Sequence, residues 1–445
     1  MGGSSLIYPD MKTRAIVSQC GYHPARTQQT SVVLTHLDII LISRELGPEH
    51  LVVTNKSHLM TVAIAGAAST KFGKHPESSA RQLFHDAAET AIDETPLVVS
   101  DIESVFVGNF MGALTDDQGH MGALMADYVG VPKAMSTTIE SACASAGTAV
   151  RQATQAIEAG VCDIALVGGV EMMFSTGIEK ITDALANAAD NEYENQAGLT
   201  FPGIYALIAD EYLSEFDATR EELAAVAVKN RENGVSNPIS QFRESITVEE
   251  VLGARTIAPP LGMMDCCPIT DGASAVVLVS ETYARENGFN PTVTIAGSGQ
   301  AGDTIALQDR EELARTRAAE RAAEQAYEDA AIGPEDVDVC EVHDCFTIAE
   351  ILAIESLGFF ERGTGASAAQ DGETAIDGHI PVNTSGGLIA KGHPVGATGV
   401  AQLVEITKQL EGRHPNQVDD AEIGLTHNVG GSGASAVVHV LEGSR

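Results

Sequence analysis

The hexapeptide GASAVV occurs twice in this chain, at residues 272–277 and 433–438, and the same succession of segments precedes each copy. A chain that repeats its core segments in order is constrained to fold as two similar halves. The first pair is strand-like TVAIAG from Thr61, answered by TVTIAG from Thr292. An amphipathic helix follows in both. Apolar residues stand at three-to-four spacing at Ala80, Leu83, Phe84, Ala87, Ala88, Ala91 and Ile92, and again at Ala319, Ala322, Ala323, Ala326, Tyr327 and Ala330. Acidic turns then lead into strands from Asp101 and Asp336. A later helix pair, through Ala146, Ala149, Val150, Ala153 and Ile157 and through Val400, Leu403, Val404 and Leu410, stops at Gly160 and Gly412, each expected at C′. These pairs predict two α/β units related by a pseudo-dyad.

The spacing between halves locates an insertion. Cys143 and His393 occupy equivalent positions 250 residues apart, whereas the GASAVV copies are 161 apart, so the first half carries about 89 extra residues. The division expected is an N-terminal half over 60–285, with an inserted loop domain at about 172–271, and a C-terminal half over 286–445. Within the insertion, Thr219 and Glu222 form a capping box ahead of Leu223, Val226 and Val228, and PPLGMM from Pro259 reads as a loop. Long insertions between core elements commonly serve substrates or partners.

Charge separates one segment from the rest. The chain has 62 acidic against 26 basic side chains, a net charge of −36, which repels nucleic acid and is best accommodated where high salt screens self-repulsion. Residues 1–59 escape the bias, with five basic side chains against four acidic. Their apolar stretch is interrupted by His36 and Asp38, without signal-peptide architecture. Met60 directly precedes the first repeat strand and is the expected true start; a targeting or docking arm is the alternative. No apolar run reaches membrane-spanning length. Seven cysteines without CxxC pairing predict reduced thiols and a cytoplasmic setting.

The chemistry concentrates in four motifs. Cys143, in SACASAG, precedes the Ala-rich helix, where the positive end of the helix dipole is expected to lower its pKa and favour the thiolate. His393, in a glycine-rich loop opposite it across the pseudo-dyad, is the natural base. His343 and Cys345 end the strand CEVHDCF, at the edge where open α/β sheets place their sites. Cys340, His343 and Cys345 could be metal ligands, but no further pair stands at zinc-like spacing, so no metal is expected. HNVGGSGAS from His427 offers backbone N–H groups for an oxyanion hole. Cys162, Cys266 and Cys267 read as core or pocket wall.

CAS at Cys143, VGGVEMM at Val167, DGASAVVL at Asp271, HDCF at His343, GHPVGATG at Gly392 and NVGGSG at Asn428 together resemble the thiolase family, over nearly all of residues 60–445. The resemblance implies a duplicated, five-layered αβαβα fold with an inserted loop domain. It also implies coenzyme A thioesters as substrates, no separate cofactor, and a homodimer or homotetramer. HDCF in place of the commoner NEAF is similar to the sterol-carrier-protein-type and archaeal thiolases. In that subgroup Cys345 would supply the second catalytic cysteine, because the usual CxG cysteine is Asn428 here. By the same resemblance Cys143 takes the acyl group, His393 accepts its proton and Cys345 removes the α-proton. His343 and His393 would hold the enolate oxygen, and the N–H groups of Cys143 and Gly430 the tetrahedral oxyanion.

The reaction so implied is condensation of two acetyl-CoA to acetoacetyl-CoA and CoA, or its reverse, feeding isoprenoid lipid synthesis. The alternatives are thiolysis of longer 3-ketoacyl-CoAs and a non-catalytic acyl-CoA-binding scaffold subunit, since similar archaeal proteins assemble with hydroxymethylglutaryl-CoA synthase and a small bridging protein. Residues contacting coenzyme A do not transfer from the resemblance; Arg220, Lys229 and Arg231 are candidates for its phosphates.

Overall fold

The computed structural model describes residues 31–35, 38–42 and 61–444. The chain divides into two units, Met1–Ser57 and His58–Arg445. In the first, Ser31–Thr35 pairs antiparallel with Asp38–Ile42, Ser31 opposite Ile42. The expected start at Met60 lies outside the described residues.

The second unit is built on nine strands: β1 (Val62–Ser69), β2 (Ser104–Gly108), β3 (Met135–Ile139), β4 (Ile164–Glu171), β5 (Gly272–Ser280), β6 (Val293–Gly302), β7 (Val339–Glu341), β8 (Ile423–Gly430) and β9 (Ser435–Gly443). Their spatial order is β7-β8-β9-β6-β1-β5-β4-β2-β3. The two halves of the sequence therefore meet where β6 lies against β1. There Val293 faces Ile64, Thr294 faces Ala63 and Ile295 faces Val62. Ala63 and Thr294 hold the same place in TVAIAG and TVTIAG, so equivalent positions pair with each other, as an antiparallel two-fold requires. Both strands also carry a bulge at the same place, between Ile64 and Gly66 and between Ile295 and Gly297. Glycine is required at each. A Cβ on Gly66 would lie 2.0 Å from the Ala91 carbonyl oxygen, and one on Gly297 2.2 Å from that of Ala326.

Burial on both faces of the strands decides the layering. Along β5, Ala273, Ala275, Val277 and Val279 point into one core with helix α1 (Ala80–Asp93), while Val276 and Leu278 point into another. That second core is central. It joins residues of α2 (Ser145–Glu158) to those of α4 (Thr398–Leu410), with side chains from both halves of the sheet. On the far side α3 (Arg317–Ala330) covers Leu425, Ala436 and Val438. The layers run helix, sheet, helix, sheet, helix: a duplicated αβαβα arrangement. All but Lys408 of α4 is buried, as a helix between two sheets must be. Gly160 and Gly412 adopt φ of 69° and 72° just past the ends of α2 and α4, the left-handed conformation expected at C′.

Residues 172–271 form helices rather than a loose loop. They include Phe201–Glu215 and Arg220–Ser236, packed around Tyr212, Leu223 and Val226 into a core shared with Phe346, Ile348 and Ile351 of the C-terminal half. The Thr219–Glu222 capping box is present. PPLGMM is more ordered than its proline content suggests: Leu261–Gly262 pairs with Thr256–Ala258 as a short hairpin.

Candidate active site

Cys143, His343 and His393 converge at the ends of different elements. Cys143 follows β3 and stands just before α2, after Ala142 in a left-handed conformation (φ 48°). His343 follows β7, whose end is held by Val342 N–H donating to Asn383 Oδ1 at 2.8 Å. His393 sits in the loop before α4, its own N–H donating to Thr270 Oγ1 at 3.1 Å. The two loops meet because α2 and α4 cross at glycine: a Cβ on Gly399 would lie 2.2 Å from Gly147 N. Such contact between backbones is open only to glycine. As a result the Cys143 sulfur and one ring nitrogen of each histidine lie within 4.8 Å of one another, and the two rings meet edge to face at 5.0 Å.

Hydrogen bonds on the far side of each ring fix where its proton sits. His393 Nδ1 is 2.7 Å from Thr398 Oγ1, whose single proton goes to the Pro394 carbonyl at 3.1 Å. The hydroxyl oxygen must then accept from Nδ1–H, which leaves a bare lone pair on Nε2. His343 Nδ1 faces Asn428 Nδ2 at 3.1 Å. An amide nitrogen only donates, so here Nδ1 accepts and the proton is on Nε2. Both Nε2 atoms are buried without a hydrogen-bond partner among the described residues. One ring offers a base and the other a donor.

Burial sets the charges. It pushes the Cys143 thiol up to about 12, against hydrogen bonds from the Gly431 and Cys143 N–H groups that act the other way. The helix terminus therefore does not deliver a resting thiolate; loss of water outweighs it. Burial likewise holds His393 down to about 3, and His343 well below its usual range with help from His393 and His427. At neutral pH the pair is neutral thiol and neutral imidazole, poised for proton transfer only as a reaction proceeds.

Cys345 is near enough to Cys143 to feel its charge but stands outside this triangle. Burial pushes its thiol well up, and so does its proximity to Cys143, while the Tyr205 hydroxyl favours the thiolate. The hydroxyl that acts on it is thus Tyr205's. Tyr205 comes from the insertion, stacks on Phe346 at 4.5 Å and donates to the Gly431 carbonyl at 3.1 Å. Gly430, the expected oxyanion donor, is the last residue of β8, paired with Ser435; the N–H at the Cys143 sulfur is Gly431's.

Sequence reasoning missed Thr398, Tyr205 and the scaffolding role of Glu171. The Glu171 carboxylate accepts from Asn109 Nδ2 and from the N–H groups of Phe110, Met111 and Gly396, at 2.8–3.1 Å, tying the loop of His393 to β4. Its acidity in VGGVEMM was the only signal. Two phosphate candidates are already engaged. Lys229 pairs with buried Glu350 at 2.9 Å, and Arg220 with buried Asp265 at 2.9 Å. Arg231 lies over Phe242 at 4.5 Å. Cys340 is buried in the outer core beside α3, and Cys266 donates to the Gly262 carbonyl.

A buried thiol facing an imidazole lone pair, with backbone N–H groups at the sulfur, is equipped for acyl transfer through a cysteine. Comparison with known proteins agrees. The family model "Thiolase, N-terminal domain" matches residues 62–282, and "Thiolase C-terminal domain-like" matches 299–443. An acetyl-CoA acetyltransferase of Methanothermobacter thermautotrophicus is 46% identical over 381 residues, covering 85% of this chain and 99% of the relative. One of Methanocaldococcus jannaschii is 40% identical over 393 residues, covering 86% and 99%. Among solved structures, an Ltp2-ChsH2(DUF35) aldolase superposes with a TM-score of 0.75 at 26% identity, over 86% of this chain and 98% of that one. The chain belongs to the thiolase family.

Proposed function

We propose that the protein is an acetyl-CoA C-acetyltransferase, condensing two acetyl-CoA to acetoacetyl-CoA and CoA, or running the reverse thiolysis, through an acyl-Cys143 intermediate. The observation that carries this is the convergence of Cys143 with one ring nitrogen of each histidine within 4.8 Å, where the Nδ1 hydrogen bonds imply a lone pair on His393 Nε2 and a proton on His343 Nε2. His393 takes the thiol proton as the sulfur attacks the first thioester and passes it to the departing coenzyme A thiolate. The N–H groups of Cys143 and Gly431, the two that favour the Cys143 thiolate, stabilise the tetrahedral oxyanion. Cys345, with Tyr205 beside it, gives up its own thiol proton to His393 and then removes the α-proton of the second acetyl-CoA, and His343 Nε2–H holds the enolate oxygen. The carbanion attacks the acyl group and Cys143 leaves, regaining its proton from His393.

A short acyl group is supported by the names of the two archaeal relatives, both acetyl-CoA acetyltransferases. Kinetics across 3-ketoacyl-CoAs of rising length test this, with kcat/KM expected to be highest for the four-carbon substrate; a preference for long chains would replace this reading with degradative thiolysis.

Among the described residues no helix is long and apolar enough to cross a membrane. A cytoplasmic, salt-rich setting, a role in isoprenoid synthesis and a homodimer or homotetramer belong to the same proposal. So does assembly with hydroxymethylglutaryl-CoA synthase through a small bridging protein, supported by the DUF35 protein named with the aldolase relative. Size-exclusion chromatography with and without those proteins tests the assembly.

A further inference from the structure

The metal set that local spacing suggested, Cys340, His343 and Cys345, is not the one the fold assembles. It gathers Cys143, His343 and His393, whose ligand atoms all lie within 4.8 Å of one another. We infer that this triangle is a binding site for a thiophilic divalent cation of the zinc class, whose occupancy reversibly blocks Cys143.

Four features fit the chemistry of such a site. The donor set is one sulfur and two imidazole nitrogens, which suits zinc, and three protein ligands leave a fourth position open. Zinc bonds of about 2.0–2.3 Å place tetrahedral ligand atoms roughly 3.3–3.8 Å apart, a distance that small side-chain rotations reach from the present arrangement. Both histidine Nε2 atoms are buried and unpartnered among the described residues, so binding breaks no hydrogen bond there. Each ring also has a partner on its other nitrogen, as metal-bound histidines do. His393 already donates Nδ1–H to Thr398 Oγ1 and presents its lone pair. For His343 the Asn428 carboxamide must turn over. Its Oδ1 has no partner among the described residues, and once it faces Nδ1 the ring proton moves there and frees Nε2.

The step balances without a redox partner. The cation replaces the thiol proton of Cys143, the sulfur–metal bond forms, and one proton passes to solvent. The bound cation would remove the nucleophile from reaction and shield it from alkylation, and an incoming thiol such as that of coenzyme A would compete for the metal.

One equivalent of Co²⁺ added to the full-length protein is the direct probe. Tetrahedral visible bands with a thiolate-to-cobalt charge-transfer band are expected, lost in Cys143→Ala and kept in Cys340→Ala. Zinc titration against a chromophoric chelator should show Thr398→Val weakening affinity by about 10–100-fold and His393→Ala by more. Iodoacetamide labelling of Cys143 should slow in proportion to zinc occupancy. A charge-transfer band surviving Cys143→Ala, zinc affinity unchanged in His393→Ala and His343→Ala, or the absence of one-to-one binding would each overturn the inference. None of these measurements needs substrate or turnover, so the site can fail while the acyltransferase reading stands, and the reverse.

Discussion

Replacing Thr398 by valine removes one oxygen from the site and keeps the side chain's shape. Thr398 is buried, and its hydroxyl oxygen is the acceptor that holds the proton of His393 on Nδ1. Without it two outcomes compete. Nδ1–H stays buried and unsatisfied, which costs about 1–3 kcal/mol, or the proton moves to Nε2 and the lone pair facing Cys143 is gone. Either way the competent tautomer is disfavoured by roughly that energy. At about 1.4 kcal/mol per tenfold, acetylation of Cys143 is expected to slow about 5- to 150-fold. Rapid mixing with acetyl-CoA, acid quench and intact-mass measurement read this step without the later condensation. Thermal unfolding checks that the fold survives, and Thr398→Ser, which restores the hydroxyl, should recover most of the rate. Near wild-type acetylation by a folded Thr398→Val protein would refute the argument that this hydroxyl sets the tautomer.

Cys143→Ser should abolish acyl transfer with the fold intact, because an alcohol ionises far less than a thiol; a labelled acetyl group trapped elsewhere in the wild type would refute the assignment. Cys345→Ala should leave Cys143 acetylation largely intact while ending condensation and α-proton exchange from acetyl-CoA, measured by deuterium loss; exchange at the wild-type rate would place the base elsewhere. Glu405 is fully buried, and although burial would raise its pKa, Lys408, His414 and Lys391 hold it below the usual carboxylate range. Its stabilisation is therefore complete above pH about 5 and lost as pH falls through the folded value. Glu405→Gln should cost about 3–5 kcal/mol at pH 7 in urea unfolding, with the gap to wild type closing in acid. With 62 acidic against 26 basic side chains, the melting temperature should rise from low to molar KCl; a flat or falling profile would contradict the salt-rich setting.

Much of the fold could be read from the chain because it is encoded locally and twice. The paired TVAIAG and TVTIAG strands, the helices on three-to-four spacing, the Thr219–Glu222 capping box and the glycines at 160 and 412 each depend on residues near in sequence. Repetition then fixed the pseudo-dyad that sets Cys143 opposite His393. What only the tertiary structure decided are quantities that depend on neighbours brought from far along the chain. Helix-terminus reasoning favoured a thiolate at Cys143, yet desolvation by the surrounding core pushes the thiol up to about 12. Lys229 and Arg220 read as free cations until Glu350 and Asp265, 121 and 45 residues away, closed on them. The protons of His343 and His393 are placed by Asn428 and Thr398, and the neighbour of Cys345 by a tyrosine from the insertion. A sequence motif specifies which groups are present. Burial and the partner on the far side of each ring specify their charge and direction, and both come into being only when the two halves pack together.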